Sequence, residues 1–422
     1  MRILAELDEG GTTRPVGELF STVRRRTVVS SFGYDRGYLA DRSSYAIEPA
    51  LPLHAGSQAL AAPLPRAFAD AAPDRWGRAL IAKRLRAEAA ASGEVMGVID
   101  DRDYLLGVSD ATRHGALRFR TSPEGPFEHP ADTVPKLIAL PELMRAAERV
   151  ARDEPGDLAA VKLLLDAGTG SLGGARPKAS VRDGERLLIA KFPHPGDDWD
   201  VIAWESVALE LAREAGIDVP VTQHLDLDGR SVLLLERFDR AGDDRVGYIS
   251  AMTMLEAGDG EPRDYLEIAE ALAAQSARAT ADLRQLWRRI AFSIALHNTD
   301  DHLRNHGFLR ARGGWTLSPA FDLNPDPALA AQRVTSVGGA STPDAELRIL
   351  LDYAPSFDLD AVGARAVLRE VADAARGWRG AAQRHRIPRS ELERFTPTLD
   401  ATVDVVIAGS DSGGRAGRGS TS

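Results

Sequence analysis

The stretch "ALHNTDDHLRNHGFL", residues 295–309, places many polar side chains between two apolar segments. Within it, Asp300 and Asn305 stand five positions apart. In phosphoryl-transfer sites this spacing lets the aspartate orient an attacking hydroxyl while the asparagine turns back to hold a magnesium ion. Asp301 does not fit the spacing, so we predict Asp300 as the catalytic base. Taken alone, the pattern is also typical of a polar loop that follows a helix.

Asp322 adds a second acidic group, seventeen positions after Asn305 and across a short predicted hairpin. Magnesium is usually held by one or two carboxylates together with phosphate oxygens. We therefore predict Asn305 and Asp322 as the metal ligands. An ordinary turn aspartate beside Pro325 is the alternative for Asp322.

Lys191 and Glu205 form a predicted ion pair. Lys191 ends the apolar run 187–190, which predicts a strand. Glu205 falls on the apolar side of a helix predicted over 199–215, where an unpaired carboxylate would be costly. In kinases, a strand lysine paired with a helix glutamate positions the phosphates of ATP. An outward-facing lysine and an unrelated salt bridge are the alternatives.

Two further segments could contact a nucleotide. The glycine-rich stretch "TGSLGGARPK", residues 169–178, could cradle phosphates through its N–H groups, although it matches neither common phosphate-loop pattern. Ser171 places a hydroxyl there, close to the expected γ-phosphate. The segment "LLLERFDR", residues 233–240, would join two lobes and offer the backbone of 236–238 to an adenine. An ordinary turn and an ordinary strand end are the alternatives.

The elements that must position these residues predict an α+β, kinase-like bilobal fold. Asp74 is a predicted N-cap, and Asp-Gly pairs at 183–184 and 228–229 predict hairpins. Apolar periodicity predicts helices over 264–280, 282–296, 360–378 and 390–406. We predict a β-rich N-terminal subdomain over 1–125, a kinase-like N-lobe over 126–240, an all-helical C-terminal lobe over 241–408 and a disordered tail over 409–422.

Composition narrows the class of protein. The 422 residues are 44% hydrophobic and 27% charged, which is ordinary for a soluble protein of more than one domain. The absence of cysteine excludes disulfides and thiolate metal sites and favours the cytoplasm. No long apolar run indicates a membrane span or a signal peptide. A net charge of −10 argues against extensive DNA binding without a partner.

The pieces "SLGGARPK", "IAKFP", "LLLERFDR", "NTDDHLRN" and "LSPAFDLNP", with "DRWGR" and "GALRF" upstream, resemble HipA-type serine/threonine kinases, the toxins of bacterial toxin–antitoxin pairs. The resemblance covers about residues 1–408. It implies ATP and Mg²⁺ as cofactors, a HipB-like helix-turn-helix antitoxin as partner, and contact with operator DNA mainly through that antitoxin. It also implies a protein substrate from the translation machinery, of the aminoacyl-tRNA synthetase class, and growth arrest.

Position by position, the resemblance assigns Asp300 as proton acceptor, Asn305 and Asp322 as magnesium ligands and Ser171 as an autophosphorylated serine. The ATP-binding residues that it implies are Gly173, Gly174, Ala175, Arg176, Pro177, Lys178, Lys191, Glu236, Arg237, Phe238, His302, Leu303, Arg304, Asn305, Phe321 and Asp322. Asp301 departs from the Gly or Ala common in the family. Its charge could alter either metal affinity or the choice of hydroxyl acceptor.

We therefore expect a serine/threonine protein kinase. The alternatives are a small-molecule phosphotransferase of the aminoglycoside-kinase type, which shares the Asp-x-x-x-x-Asn spacing, and a non-catalytic corepressor that binds antitoxin and DNA. The presence of Lys191, Asp300, Asn305 and Asp322 argues against the corepressor, since a binding module does not need them.

Overall fold

The computed structural model describes residues 1–25, 27–93, 95, 97–127, 134–154, 156–168, 176–242 and 244–411. The chain divides into two compact units. The first comprises Met1–Asp197 and Leu225–Glu256, and the second comprises Asp198–His224 and Ala257–Ser422. The first unit contains the two larger β-sheets, and the second unit is mainly helical. The predicted α+β fold class is therefore confirmed. The predicted domain limits at 125 and 240 stay predictions.

The elements of the chain up to the end of the second sheet are β1 Arg2–Glu9, β2 Thr12–Arg24, β3 Thr27–Tyr34, α1 Arg36–Ala40, β4 Ser57–Ala59, α2 Arg66–Asp70, α3 Arg75–Ser92, α4 Asp101–Leu106, β5 Leu117–Arg120, α5 Leu140–Ala151, α6 Leu158–Asp166, β6 Lys178–Asp183, β7 Arg186–Lys191, α7 Val201–Glu214, β8 Thr222–Leu227 and β9 Arg230–Glu236.

The remaining elements are β10 Arg240–Ala241, β11 Asp244–Arg245, β12 Tyr248–Ser250, α8 Ala251–Met254, β13 Arg263–Asp264, α9 Tyr265–Gln275, α10 Ala279–Ala295, β14 Gly307–Ala311, β15 Gly314–Leu317, β16 Thr335–Ser336, α11 Pro343–Asp352, α12 Ala361–Arg376, α13 Trp378–Arg384 and α14 Arg389–Asp411.

A five-stranded sheet in the order β4-β3-β2-β1-β5 begins the first unit. Its long central strands pair antiparallel, with Gly17 opposite Tyr34. Strands β2 and β3 approach so closely there that a Cβ atom on Gly17 would lie 2.3 Å from the carbonyl oxygen of Gly33. Only glycine fits at this point of the sheet.

The second sheet of the first unit has the order β6-β7-β9-β8. Its hairpins turn at Gly184, with a φ of 62°, and at Asp228 and Gly229, with φ of 53° and 76°, so both predicted Asp-Gly turns are confirmed. One face of the sheet packs against α3, α5 and α6 in a single apolar cluster. Its fully buried members include Leu80, Leu143, Leu164, Val181, Ala190, Phe192 and Val232.

Strand β6 is also tied to helix α3. Asp74 caps α3 by accepting the N–H of Gly77 at 2.8 Å, which confirms the predicted N-cap. The other carboxylate oxygen of Asp74 lies 2.5 Å from Lys178 Nζ, and both side chains are buried. The indole Nε1 of Trp76 donates to the carbonyl of Lys178 at 3.1 Å. The start of β6 is thus fixed by a helix more than a hundred positions earlier.

The second unit consists mainly of helices packed around α10, and it also contains the β-hairpin β14–β15. Helix α10 is buried along most of its length because Leu286, Trp287 and Ile290 follow one another at helical spacing. Asp264 caps α9 through a reciprocal capping box with Glu267. Among the described residues, no helix is long and apolar enough to cross a membrane.

Helix α14 continues to Asp411, so that it includes the first three residues, 409–411, of the predicted tail. Its last turn is packed, since a Cβ on Gly409 would lie 2.6 Å from the side chain of Leu347. The hydroxyl of Ser410 also donates to the carbonyl of Ile407 at 2.7 Å. Residues 409–411 of the predicted tail are therefore helical, and 412–422 lie outside the described part of the chain.

Candidate active site

The loop that follows α10 separates its two candidate residues by burial. Asp300 is exposed, whereas Asn305 is 4% exposed and sits in a single 3₁₀ turn, Leu303–Asn305. The amide nitrogen of Asn305 donates to the backbone carbonyl of Asp300 at 3.2 Å. The side chain of Asn305 therefore folds back onto the backbone of Asp300, while Asp300 is exposed to solvent.

The amide oxygen of Asn305 is buried and has no hydrogen-bond partner among the described residues. Leaving a buried amide oxygen unpaired is unfavourable, which indicates a ligand at this position. Amide and carboxylate oxygens are ligands that Mg²⁺ takes in proteins. The described residues contain no cluster of three His, Cys, Asp or Glu side chains that could hold a metal unaided. A site that takes phosphate oxygens as further ligands agrees with both observations.

Asp322 lies on a second loop in a strained backbone conformation, with a φ of 59°. Non-glycine residues adopt this region rarely, and such strain is concentrated at functional sites. Its Oδ1 accepts a hydrogen bond from Asn324 Nδ2 at 3.4 Å. Contacts of neighbouring residues also hold this loop in place.

Those contacts come from the loop that carries Asp300. The N–H of Asn324 donates to Asn298 Oδ1 at 3.3 Å, and the N–H of Asp326 donates to the carbonyl of His297 at 3.0 Å. The hydroxyl of Thr299 donates to Asp326 at 3.1 Å. Three hydrogen bonds thus join the two candidate loops, as the predicted pairing of Asn305 with Asp322 requires.

Asp301 points away from this surface. It is 5% exposed, accepts a hydrogen bond from the Tyr265 hydroxyl, and lies 3.0 Å from His306 Nε2. Burial by itself would raise the pKa of Asp301, but the His306 and Tyr265 contacts and the nearby Arg333 outweigh it and lower the pKa to about 2. The carboxylate is therefore an ionised group of the interior.

The remaining residues of the two loops have mixed surroundings. Leu303 and Phe321 are buried apolar side chains, 5% and 7% exposed. The guanidinium of Arg304 contacts exposed Asp259 at 2.9 Å, and the N–H of His302 donates to the carbonyl of Asp300 at 3.1 Å. Their predicted contacts with ATP stay predictions.

In the first unit, Lys191 is the last residue of β7, is 7% exposed, and lies opposite Lys178 in the register. The ammonium of Lys178 is paired with Asp74, and its predicted phosphate contact stays a prediction. Glu205 lies on α7 and is 2% exposed, as the sequence predicted. Lys191 and Glu205 belong to different units, and their ion pair stays a prediction.

Part of the predicted phosphate loop lies outside the described residues, namely Ser171, Gly173, Gly174 and Ala175. The two residues that follow are described. Arg176 forms a salt bridge with Asp197, and the carbonyl of Pro177 accepts the N–H of Phe192 at 2.9 Å. Both therefore belong to the framework of the first unit.

The predicted adenine-binding segment, residues 236–238, lies at the end of β9. The N–H of Arg237 donates to the carbonyl of Leu187 at 3.0 Å, so it is used within the sheet. The buried guanidinium of Arg237 donates to Asp239 and to the carbonyl of Thr112, each at 2.7 Å. The guanidinium of Arg237 therefore has a structural role, and the predicted adenine contacts of 236–238 stay predictions.

Sequence reasoning missed the residues that hold the candidate loops. Asn298 joins the two loops, Tyr265 and His306 bind Asp301, and Arg333 donates to Ser293 Oγ at 2.7 Å beneath them. Of these residues, Asn298 and His306 lie within the polar stretch 295–309. Tyr265 and Arg333 are more than twenty positions away from it, and no local pattern marks them.

Residues 12–100 match the family model of the HipA N-terminal domain, and residues 170–378 match that of the HipA-like C-terminal domain. The chain is 27% identical over 170 residues to Toxin YjjJ of Escherichia coli, covering 37% of this chain and 38% of that protein. It is 30% identical over 135 residues to Y4dM of Sinorhizobium fredii, provisionally named a kinase, covering 28% of this chain and 32% of that protein. The chain thus spans less than two fifths of either relative's length.

The fold resembles that of a chain from the Shewanella oneidensis HipA, HipB and operator DNA complex. The TM-score is 0.66 and the sequence identity 14%, with 97% of each chain covered. At this identity the likeness establishes the fold, and the two family models, matched in order along the sequence, establish the family. The protein belongs to the HipA family.

Proposed function

We propose that the protein is an ATP- and Mg²⁺-dependent serine/threonine protein kinase. The observation that carries the proposal is the loop with exposed Asp300 and buried Asn305, whose amide oxygen has no hydrogen-bond partner in the described chain. Asp322 supports it through its strained backbone and its loop's hydrogen bonds to the same segment. The kinase name of Y4dM, a relative over part of its length, agrees with this assignment.

Each residue has a definite task in such a reaction. The carboxylate of Asp300 would accept the proton of the acceptor hydroxyl. Asn305 Oδ1 and the Asp322 carboxylate would hold Mg²⁺, which when bound offsets the negative charge of the phosphates. Lys191, positioned by Glu205, would bind phosphate oxygens. The task of the protein framework is positioning, since phosphoryl transfer depends mainly on orientation and charge.

The biological role that we propose is that of a toxin. The phosphorylated protein would belong to the translation machinery, of the aminoacyl-tRNA synthetase class, and the chain would also phosphorylate its own Ser171. A HipB-like helix-turn-helix antitoxin would neutralise it and would make most of the contact with operator DNA. The solved Shewanella complex contains HipA, HipB and operator DNA, and the net charge of −10 is compatible with DNA contact through a partner.

Mass spectrometry after incubation with ATP and Mg²⁺ tests the proposal. We expect phosphate on a serine of the wild-type protein, first at Ser171, and a rate at least about 100-fold lower in Asp300→Asn. Asp344→Asn, which changes an exposed aspartate of α11, is the matched control and should retain the wild-type rate. Transfer only to an added aminoglycoside would show a small-molecule phosphotransferase. Equal rates in Asp300→Asn and wild type would refute the assignment of the base.

A further inference from the structure

We propose that Asp301 and His306 fasten the two ends of the catalytic loop, which makes Asp301 a positioning residue for phosphoryl transfer. The inference rests on the proposed function. Asp301 directly follows Asp300, and His306 directly follows Asn305. Their side chains meet, with 3.0 Å between Asp301 Oδ1 and His306 Nε2. A contact between the next residues along the chain therefore sets the separation of the two functional residues.

The surroundings of the contact restrict its movement. Asp301 and His306 are 5% and 4% exposed. The Tyr265 hydroxyl of α9 donates to Asp301 Oδ2, and Ser293 Oγ of α10 lies 3.4 Å from the same oxygen. The rings of Tyr265 and His306 meet edge to face with centroids 5.6 Å apart. Two helices thus hold the carboxylate in one orientation.

The opposite exposure of neighbouring residues follows from this arrangement. Asp301 is turned into the protein and Asp300 outward. The backbone carbonyl of Asp300 accepts hydrogen bonds from Asn305 Nδ2 at 3.2 Å and from the N–H of His302 at 3.1 Å. The Asp301 anchor adds to these neutral bonds within the loop and so helps to fix the direction of the Asp300 carboxylate. A loosely oriented base is a poor catalyst even when the substrate binds normally.

The carboxylate of Asp301 is also connected to a buried cation, Arg333. His306 contacts the carboxylate directly, and Ser293 connects it to Arg333, which donates to Ser293 Oγ at 2.7 Å. Arg333 in turn contacts Glu346 at 3.1 Å. The carboxylate is therefore part of a buried network.

Kinetics and hydrogen exchange of purified Asp301→Ala, Asp301→Asn and Asp344→Asn test the proposal. At a temperature where all three variants are folded, we expect kcat for phosphoryl transfer from ATP to fall at least tenfold in Asp301→Ala. The KM for ATP should change less than threefold. Asp301→Asn keeps an oxygen for the Tyr265 hydroxyl and should recover part of the rate. Asp344→Asn should match wild type, because its ion pair with Arg348 is exposed.

Hydrogen exchange in the peptide that covers 300–306 gives a readout that does not depend on activity. We expect faster exchange in Asp301→Ala and unchanged exchange in Asp344→Asn. If wild type transfers no phosphate, the proposed function fails, but accelerated exchange would still support the anchor. Wild-type kcat and exchange in folded Asp301→Ala would overturn it. Should that variant not fold, Tyr265→Phe removes one hydrogen bond to Asp301, and the same two measurements decide, with a smaller expected effect.

Discussion

Replacing Asp239 by Asn should destabilise the first unit more than any surface change of the same kind. Asp239 is fully buried and binds two guanidinium groups, Arg237 at 2.6 Å and Arg240 at 2.8 Å. It also accepts the N–H of Gly115 at 2.8 Å. Burial alone would raise the pKa of Asp239, but these cations hold it well below its ordinary value. The carboxylate is therefore charged in the folded protein.

The magnitude follows from what the substitution leaves behind. Removing one partner of a buried ion pair costs about 3–5 kcal/mol because the other charge stays buried. Asparagine keeps one oxygen, and Arg237 also donates to the carbonyl of Thr112 at 2.7 Å. We therefore expect a loss near the lower limit, about 3 kcal/mol. The exposed Asp244→Asn of the same unit is the control and should change stability by less than about 0.5 kcal/mol.

The unfolding of the first unit can be observed separately. Of the six tryptophans in the sequence, only Trp76 falls within that unit, where it is 5% exposed. Guanidinium titration of 5-fluorotryptophan-labelled protein, followed by ¹⁹F NMR and with the resonance assigned through Trp76→Phe, would report its unfolding midpoint. Equal midpoints for Asp239→Asn and wild type would refute the view that Asp239 compensates two buried cations.

Two further perturbations test the first unit. Burial raises the pKa of Glu48 from 4.5 to about 7, so its contribution to stability is complete below pH 4.5 and is lost as pH rises through 7. Glu48→Gln keeps an acceptor for the N–H of Ala67. We expect this variant to be about 3 kcal/mol more stable than wild type at pH 8.5 and no more stable at pH 4. Parallel curves of unfolding free energy against pH for the two proteins would contradict this. Gly17→Ala should lower the free energy of unfolding by about 2 kcal/mol or more in chemical denaturation, because its methyl group meets the Gly33 carbonyl. Gly229→Ala is the control, since its methyl group has open space and only the cost of a positive φ remains, so its loss should be smaller. Equal losses would contradict the steric argument.

Local patterns predicted much of the fold. Apolar spacing predicted α9, α10, α12 and α14, and the Asp-Gly pairs predicted both hairpins, because these elements depend on neighbouring residues. The cap at Asp74 was equally local. The end of α14 was not, since it depends on packing of Gly409 against Leu347. Composition alone therefore did not show that residues 409–411 are helical.

The features of the candidate site also divide into those that local sequence patterns predict and those that depend on tertiary structure. Spacing predicted which residues could act, and the closed loop of Asp300 and Asn305 agrees with it. Spacing could not show which partner a buried charge would find. The sequence did not show that Asp74 would contact Lys178, or that His306 would contact Asp301. Such pairs are set by tertiary structure, which a single sequence does not display.

The link between helix α3 and strand β6 limits how this chain could be recombined. Asp74 belongs to the segment matched by one family model, whereas Lys178 belongs to the segment matched by the other. A chimera that takes its amino-terminal part from a distant relative would bring a foreign neighbour to the Lys178 ammonium and to the indole bond of Trp76. Grafting would therefore succeed best when both partners of this contact are exchanged together, and the two segments are expected to have been inherited as one block.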